Sequence, residues 1–88
     1  MNRRTPKMKT VLKLFARARD LAGSPTLELD LPDTATAADL RVALGEQVPA
    51  LQPLLPSLLI AIGNDYAAPT TRVAGRSDLA VFPPVSGG

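Results

Sequence analysis

A chain of 88 residues has room for one small domain and none for a second, with a core that withdraws roughly 60 to 70% of the unfolded surface from water. It contains neither cysteine nor histidine, so disulfides, thiolate chemistry, soft-metal ligation and the commonest nucleophile and base pairs are unavailable, and neither an autonomous hydrolase nor a metal site is expected. The net charge of +2 is unevenly spread: Arg3, Arg4, Lys7, Lys9, Lys13, Arg17 and Arg19 all precede Asp20, and the rest of the chain is acidic.

Residues 1 to 7 read as a basic, solvated extension. An arm of that kind suits phosphates, yet aromatic residues make up only 3% of the chain, too few to stack bases, and no nucleic-acid partner is expected. The basic start is not followed by a signal-peptide core, because Lys7, Lys9 and Lys13 interrupt it. No apolar run approaches the roughly 20 residues that span a bilayer, so a cytoplasmic protein without a membrane partner is expected.

From residue 8 the chain alternates with period 2, Met8, Thr10, Leu12 and Leu14 against Lys9, Val11 and Lys13, which predicts a half-buried strand. Ala16 to Gly23 predicts one or two helical turns ending at the glycine. Thr26 to Leu31 alternates again, with Leu27, Leu29 and Leu31 inward. Thr36 followed by Asp39 fits a capping-box variant, and Ala37, Leu40, Leu44 and Val48 then share one helical face, with Asp39, Arg41 and Glu46 toward water. Gly45 suggests fraying or a C-terminal cap. The stretch Pro49 to Pro56 is too rich in proline for a long helix and reads as short turns over one edge of the core. Leu58 to Ile62 reads as a well-covered strand meeting a tight turn at Gly63-Asn64-Asp65, Tyr66 to Ala68 as a short edge strand stopped by Pro69, Thr70 to Ser77 as a loop, and Leu79 to Phe82 as the last strand.

That strand runs into Pro83-Pro84-Val85-Ser86-Gly87-Gly88. Two prolines cannot donate to a ladder and hold an extended φ, so the sheet ends there. The six residues reach roughly 20 Å, and Gly87 and Gly88, lacking Cβ atoms, suit a narrow channel. The functional group delivered by such a tail is the α-carboxyl of Gly88. The domain is therefore read as residues 8 to 82 and the tail as residues 83 to 88. Strand order and length fit an α+β domain, but periodicity alone allows a β-grasp, a ferredoxin-like or another small arrangement.

The apolar strand with its Pro-Pro-Val-Ser-Gly-Gly ending, together with Lys13-Leu14-Phe15-Ala16-Arg17-Ala18-Arg19-Asp20-Leu21, resembles the small subunit of molybdopterin synthase, a sulfur carrier of the ubiquitin-like β-grasp superfamily. The resemblance implies a β-grasp fold: a mixed sheet of four to five strands on one main helix, with an extended C-terminal Gly-Gly tail. It also implies a cycle. A ubiquitin-activating-like adenylyltransferase uses ATP with magnesium to adenylate Gly88, a sulfur donor protein converts the product to a thiocarboxylate, and the tail enters the large synthase subunit, in an assembly of two small and two large subunits, to add sulfur to a cyclic pyranopterin phosphate. No tightly bound cofactor of the small chain is implied.

Carried over by position, the partner contacts are Phe15, Arg19, Tyr66, Asp78 and Phe82 with the tail residues Pro83, Pro84, Val85 and Ser86, while Gly87 gives the tip its freedom and Gly88 its reactive group. Each has a plainer reading: Phe15 and Phe82 as core residues, Arg19 as half of a solvated ion pair. Tyr66 stands where relatives carry an apolar side chain. Arg76-Ser77-Asp78 replaces the family's usual Gly-Asp-Glu, and Gly63 a common Asn. Other sulfur-carrier pathways, such as thiazole synthesis or tRNA thiolation, a ubiquitin-like protein modifier, and a passive binding module are the alternatives.

Overall fold

The computed structural model describes residues 7–83. Strand β1 (Lys7–Leu14) forms an antiparallel hairpin with β2 (Thr26–Pro32) across helix α1 (Ala16–Ala22). Helix α2 (Ala37–Gln47) and a 3₁₀ segment (Pro49–Ser57) follow, then β3 (Leu59–Ile62), the two-residue β4 (Asp65–Tyr66) and β5 (Leu79–Phe82). The five strands lie in the order β2-β1-β5-β3-β4, with β5 parallel to β1 and antiparallel to β3. The last strand thus enters the middle of the sheet, beside the first. This is the expected β-grasp, and it settles the choice that periodicity left open.

The alternating sequence builds the core. Leu12 and Leu14 of β1, Leu29 and Leu31 of β2, Ile60 of β3 and Leu79 and Val81 of β5 are buried on one face, against Ala37, Leu40 and Leu44 of α2, Ala18 of α1 and Leu51 of the 3₁₀ segment. Each such leucine contributes about 1.5–3 kcal/mol by leaving water. The capping box at the start of α2 is complete: the Asp39 backbone N–H donates to Thr36 Oγ1 at 3.4 Å, and the Thr36 N–H to Asp39 Oδ2 at 3.0 Å. Gly23 ends α1 in the left-handed conformation, φ 76°, as its sequence position predicts.

Three expectations need correction. Gly45 neither frays nor caps α2: the helix runs on to Gln47, and Gly45 is buried where a Cβ would collide with Leu55 Cδ1, its carbonyl accepting from Gln52 Nε2 at 2.9 Å. Arg41 does not face water. Its Nη1 donates to the Leu55 carbonyl and, at 2.8 Å, to that of Leu58, tying α2 to the far end of the 3₁₀ segment. The proline-rich stretch is one nine-residue 3₁₀ run rather than separate turns.

The loop before β5 is anchored at both flanks. Val73 is fully buried and its N–H donates to the Ala35 carbonyl, and the buried Thr10 hydroxyl accepts from the Gly75 N–H at 3.0 Å while donating to the Met8 carbonyl at 3.1 Å. These bonds fix the approach to β5. Among the described residues no helix is long and apolar enough to cross a membrane.

Candidate functional site

The outer face of the sheet, away from α2, takes every second strand residue. Near β2 it carries Lys9, Lys13, Glu28 and Asp30; across β5, β3 and β4 it turns apolar, with Ala80, Phe82, Leu59 and Ala61 half-buried. Leu58 to Ile62 is therefore less covered than expected: Leu58 and Ile60 are buried, and the alternate residues serve the outer face. The run is uniformly apolar, and only its pairing with β5 reveals that Leu59 and Ala61 belong to the surface.

All of the chain's aromatic residues meet there. The Phe15 ring lies edge-on to Phe82 with centroids 6.5 Å apart, and Tyr66 is tilted against Phe82 at 6.0 Å. Aromatic pairs at such spacing favour offset or edge-to-face packing by about 0.5–1.5 kcal/mol, yet Phe15 remains 44% exposed and Tyr66 69%. Each reaches the cluster by a different route. Phe15 follows β1, its N–H donating to the Val81 carbonyl of β5, and Ala16 at φ 55° swings the chain into α1 in one residue. Left-handed backbone costs a non-glycine residue about 1 kcal/mol, and no feature of the sequence announces it. Tyr66 is delivered by the tight turn after β3, where Gly63 has φ 59°. Asparagine is the other residue that accepts this conformation readily, so the departure at Gly63 preserves what the turn requires. Phe82 ends β5, and Pro83, half-buried, is the first residue of the tail.

The plainer core readings of Phe15 and Phe82 give way to a surface patch with Phe82 at its centre. Arg19 stands one helical turn beyond Phe15, its N–H donating to the Phe15 carbonyl, with an exposed side chain. Among the described residues the ion pairs are Lys9 with Glu28 and Arg76 with Asp78, so Arg19 does not form the acid pair expected of it. Asp78 is held by Arg76 in a two-pronged contact, Nε to Oδ1 at 2.8 Å and Nη2 to Oδ2 at 2.7 Å. Those bonds keep the Asp78 carboxyl below its ordinary range and raise the guanidinium in turn. Among the described residues no group of side chains is arranged to hold a metal ion. Pro84, Val85, Ser86, Gly87 and Gly88 lie outside the described residues.

A mixed sheet gripping one principal helix, its last strand central and its outer face apolar where the C-terminal segment departs, defines a ubiquitin-like β-grasp protein. The ThiS family model matches residues 12–88, and the chain belongs to that family. It is 33% identical over 84 residues to the molybdopterin synthase sulfur carrier subunit of Arabidopsis thaliana, covering 96% of this chain and 88% of the relative. It is 36% identical to small archaeal modifier protein 1 of Haloferax volcanii, over 86% of this chain and 97% of the relative. A crystal structure of that Haloferax volcanii protein superposes with a TM-score of 0.78, covering 89% of this chain and 99% of the other at 31% identity.

Proposed function

We propose that the protein is the sulfur-carrier small subunit of molybdopterin synthase, working in the cytoplasm through the carboxyl of Gly88. The observation that carries this reading is the aromatic and apolar patch at the base of the tail, in a chain of the ThiS family whose relatives include named molybdopterin synthase sulfur carrier subunits. A contiguous apolar surface next to the segment that must enter another protein is the pattern of a docking site, and exposed Phe and Tyr rings are suited to anchor it.

The chemistry follows from what a carboxylate lacks. With a reference pKa near 3.5 it is ionised at neutral pH and is a poor electrophile. Attack of its oxygen on the α-phosphorus of ATP, in a ubiquitin-activating-like adenylyltransferase that supplies the magnesium site, expels pyrophosphate and leaves an acyl adenylate. A sulfide equivalent from a donor protein then forms the C–S bond as AMP departs. Docking on the large subunit, in a complex of two small and two large chains, holds the thiocarboxylate sulfur against the pterin and replaces a bimolecular encounter with a positioned one. In this reading Phe15, Arg19, Tyr66 and Phe82 contact the partner, and Pro83 to Ser86 thread its channel.

Incubation with the activating enzyme, ATP and a sulfur donor tests the reading. Intact mass should show one oxygen replaced by sulfur, and deletion of Gly88 should abolish the change; a chain left unmodified under conditions that convert a known carrier rejects it. The likeness to small archaeal modifier protein 1 supports a second reading, conjugation of Gly88 to lysines. Copurification separates the two: a large subunit in equal proportion favours the synthase, isopeptide-linked products the modifier.

A further inference from the structure

Among the described residues no strand pairs with the sheet edge opposite the aromatic patch, formed by β2. The Leu14 N–H donates to the Pro25 carbonyl at 2.8 Å, which sets the phase of the β1–β2 ladder: with the observed register, Leu27, Leu29 and Leu31 are the β2 residues bonded to β1. The N–H and C=O groups of Glu28 and Asp30 therefore point away from the sheet. Thr26 is turned the same way, and its carbonyl accepts from the Ser24 hydroxyl. The other edge, β4, is only two residues long, whereas β2 keeps register over seven. Short strands are one way in which sheets close their edges, and β2 has not been closed by that means.

Alongside the open edge runs a groove between β2 and α2, made of two adjoining clefts of about 370 and 430 Å³ that share Asp30, Ala43 and Glu46. Val42, 61% exposed, lines one of them. Among the described residues no lysine or arginine lines either cleft. Asp39 is engaged in the helix cap, Glu28 has only a loose 3.9 Å contact with Lys9, and among the described residues Asp30 and Glu46 have no ion-pair partner.

The geometry points to this groove as a docking site for an extended peptide of a partner protein, with alternating apolar residues flanked by lysine or arginine, added as a further strand beside β2. Pairing on Glu28 and Asp30 supplies main-chain hydrogen bonds. Every second side chain of the added strand then stands over Val42 and Ala43, and the flanking cations meet Asp30 and Glu46. Charge selects this occupant over a second copy of the chain, since pairing β2 with β2 sets carboxylates against carboxylates. In the sheet order β1 separates β2 from β5, so the site is distinct from the aromatic patch and is compatible with an engaged tail.

The test is amide chemical-shift mapping on the ¹⁵N-labelled full chain, titrated with a blocked peptide of alternating valine and isoleucine flanked by lysine pairs, and with the same peptide flanked by glutamates. Shifts should centre on Glu28, Asp30 and the stretch from Asp39 to Glu46, for the lysine peptide only. Glu46→Lys and Asp30→Lys should each weaken binding about tenfold, while thiocarboxylate formation by Asp30→Lys stays normal. Asp30→Pro removes one outward N–H but leaves the ladder to β1 intact, and should bind more weakly than Asp30→Ala. Equal binding of the glutamate peptide, shifts confined to Phe15, Tyr66 and Phe82, or equal affinities of the proline and alanine variants would overturn the proposal. So would concentration-dependent shifts at Glu28 and Asp30 without peptide, which assign the edge to a second copy.

Discussion

The two faces of the sheet divide the side chains by type. The buried face is aliphatic apart from the Thr10 hydroxyl, with Leu12, Leu14, Leu29, Leu31, Leu79 and Val81 meeting Leu40 and Leu44 of α2, while every aromatic ring in the chain stands on the outer face or at its rim. Aromatic rings bring large buried areas to a core, and a small domain has few other sources of them. A fold that keeps them on the surface has left that contribution to be gained on contact with a partner. On the proposed reading the inner face governs stability and the outer face binding.

The largest effect that bears on this division is expected inside. Leu40 is fully buried on α2, and Leu40→Ala should cost about 3 kcal/mol, the transfer term plus a cavity, read as a lower urea midpoint with an unchanged slope. The folded fraction should still dock normally. If affinity fell while the protein remained folded, the faces would not be independent.

Tyr66→Ala should do the reverse. Its ring is 69% exposed, so stability should stay within about 0.5 kcal/mol, whereas affinity for the large subunit should fall about tenfold, close to 1.4 kcal/mol. Calorimetric titration and a thermal melt of the same preparation decide it. A tyrosine whose loss harms folding more than docking would return the patch to the core.

Much of the inner face was legible in the sequence because its signals are local. Alternation in β1 and β2, the glycine after α1 and the box from Thr36 to Asp39 each depend on neighbours within a few residues. Arg41 and Gly45 misled for the opposite reason: their partners, the carbonyls of Leu55 and Leu58 and the side chains of Gln52 and Leu55, arrive only when the 3₁₀ segment folds back on α2. The candidate site shows the same limit. Phe15, Tyr66 and Phe82 were each singled out, but their convergence depends on the pairing of β5 with both β1 and β3, which no local pattern specifies. The box itself gives the third expectation: Thr36→Ala removes the acceptor for the Asp39 N–H and should cost about 1 kcal/mol with docking unaltered.

The smallest effect belongs to the ion pair that precedes β5. Asp78 bonded to Arg76 has its carboxyl lowered from the ordinary 3.8, so the folded state favours the ionised form. Its contribution is complete above that ordinary value and is lost as the pH falls through the lower, folded one. Both side chains are exposed, and solvent screening leaves the pair little weight in folding. Melting temperatures of the wild type and Arg76→Gln should therefore coincide between about pH 5 and 7. In a carboxyl-detected NMR titration the Asp78 midpoint should rise in Arg76→Gln. If Asp78 is a contact for the activating enzyme of the proposed cycle, the same variant frees it for a cation there, and adenylation should become more salt-sensitive while docking on the aromatic patch stays as it was. An unmoved midpoint would mean that Arg76 does not hold the carboxylate in solution.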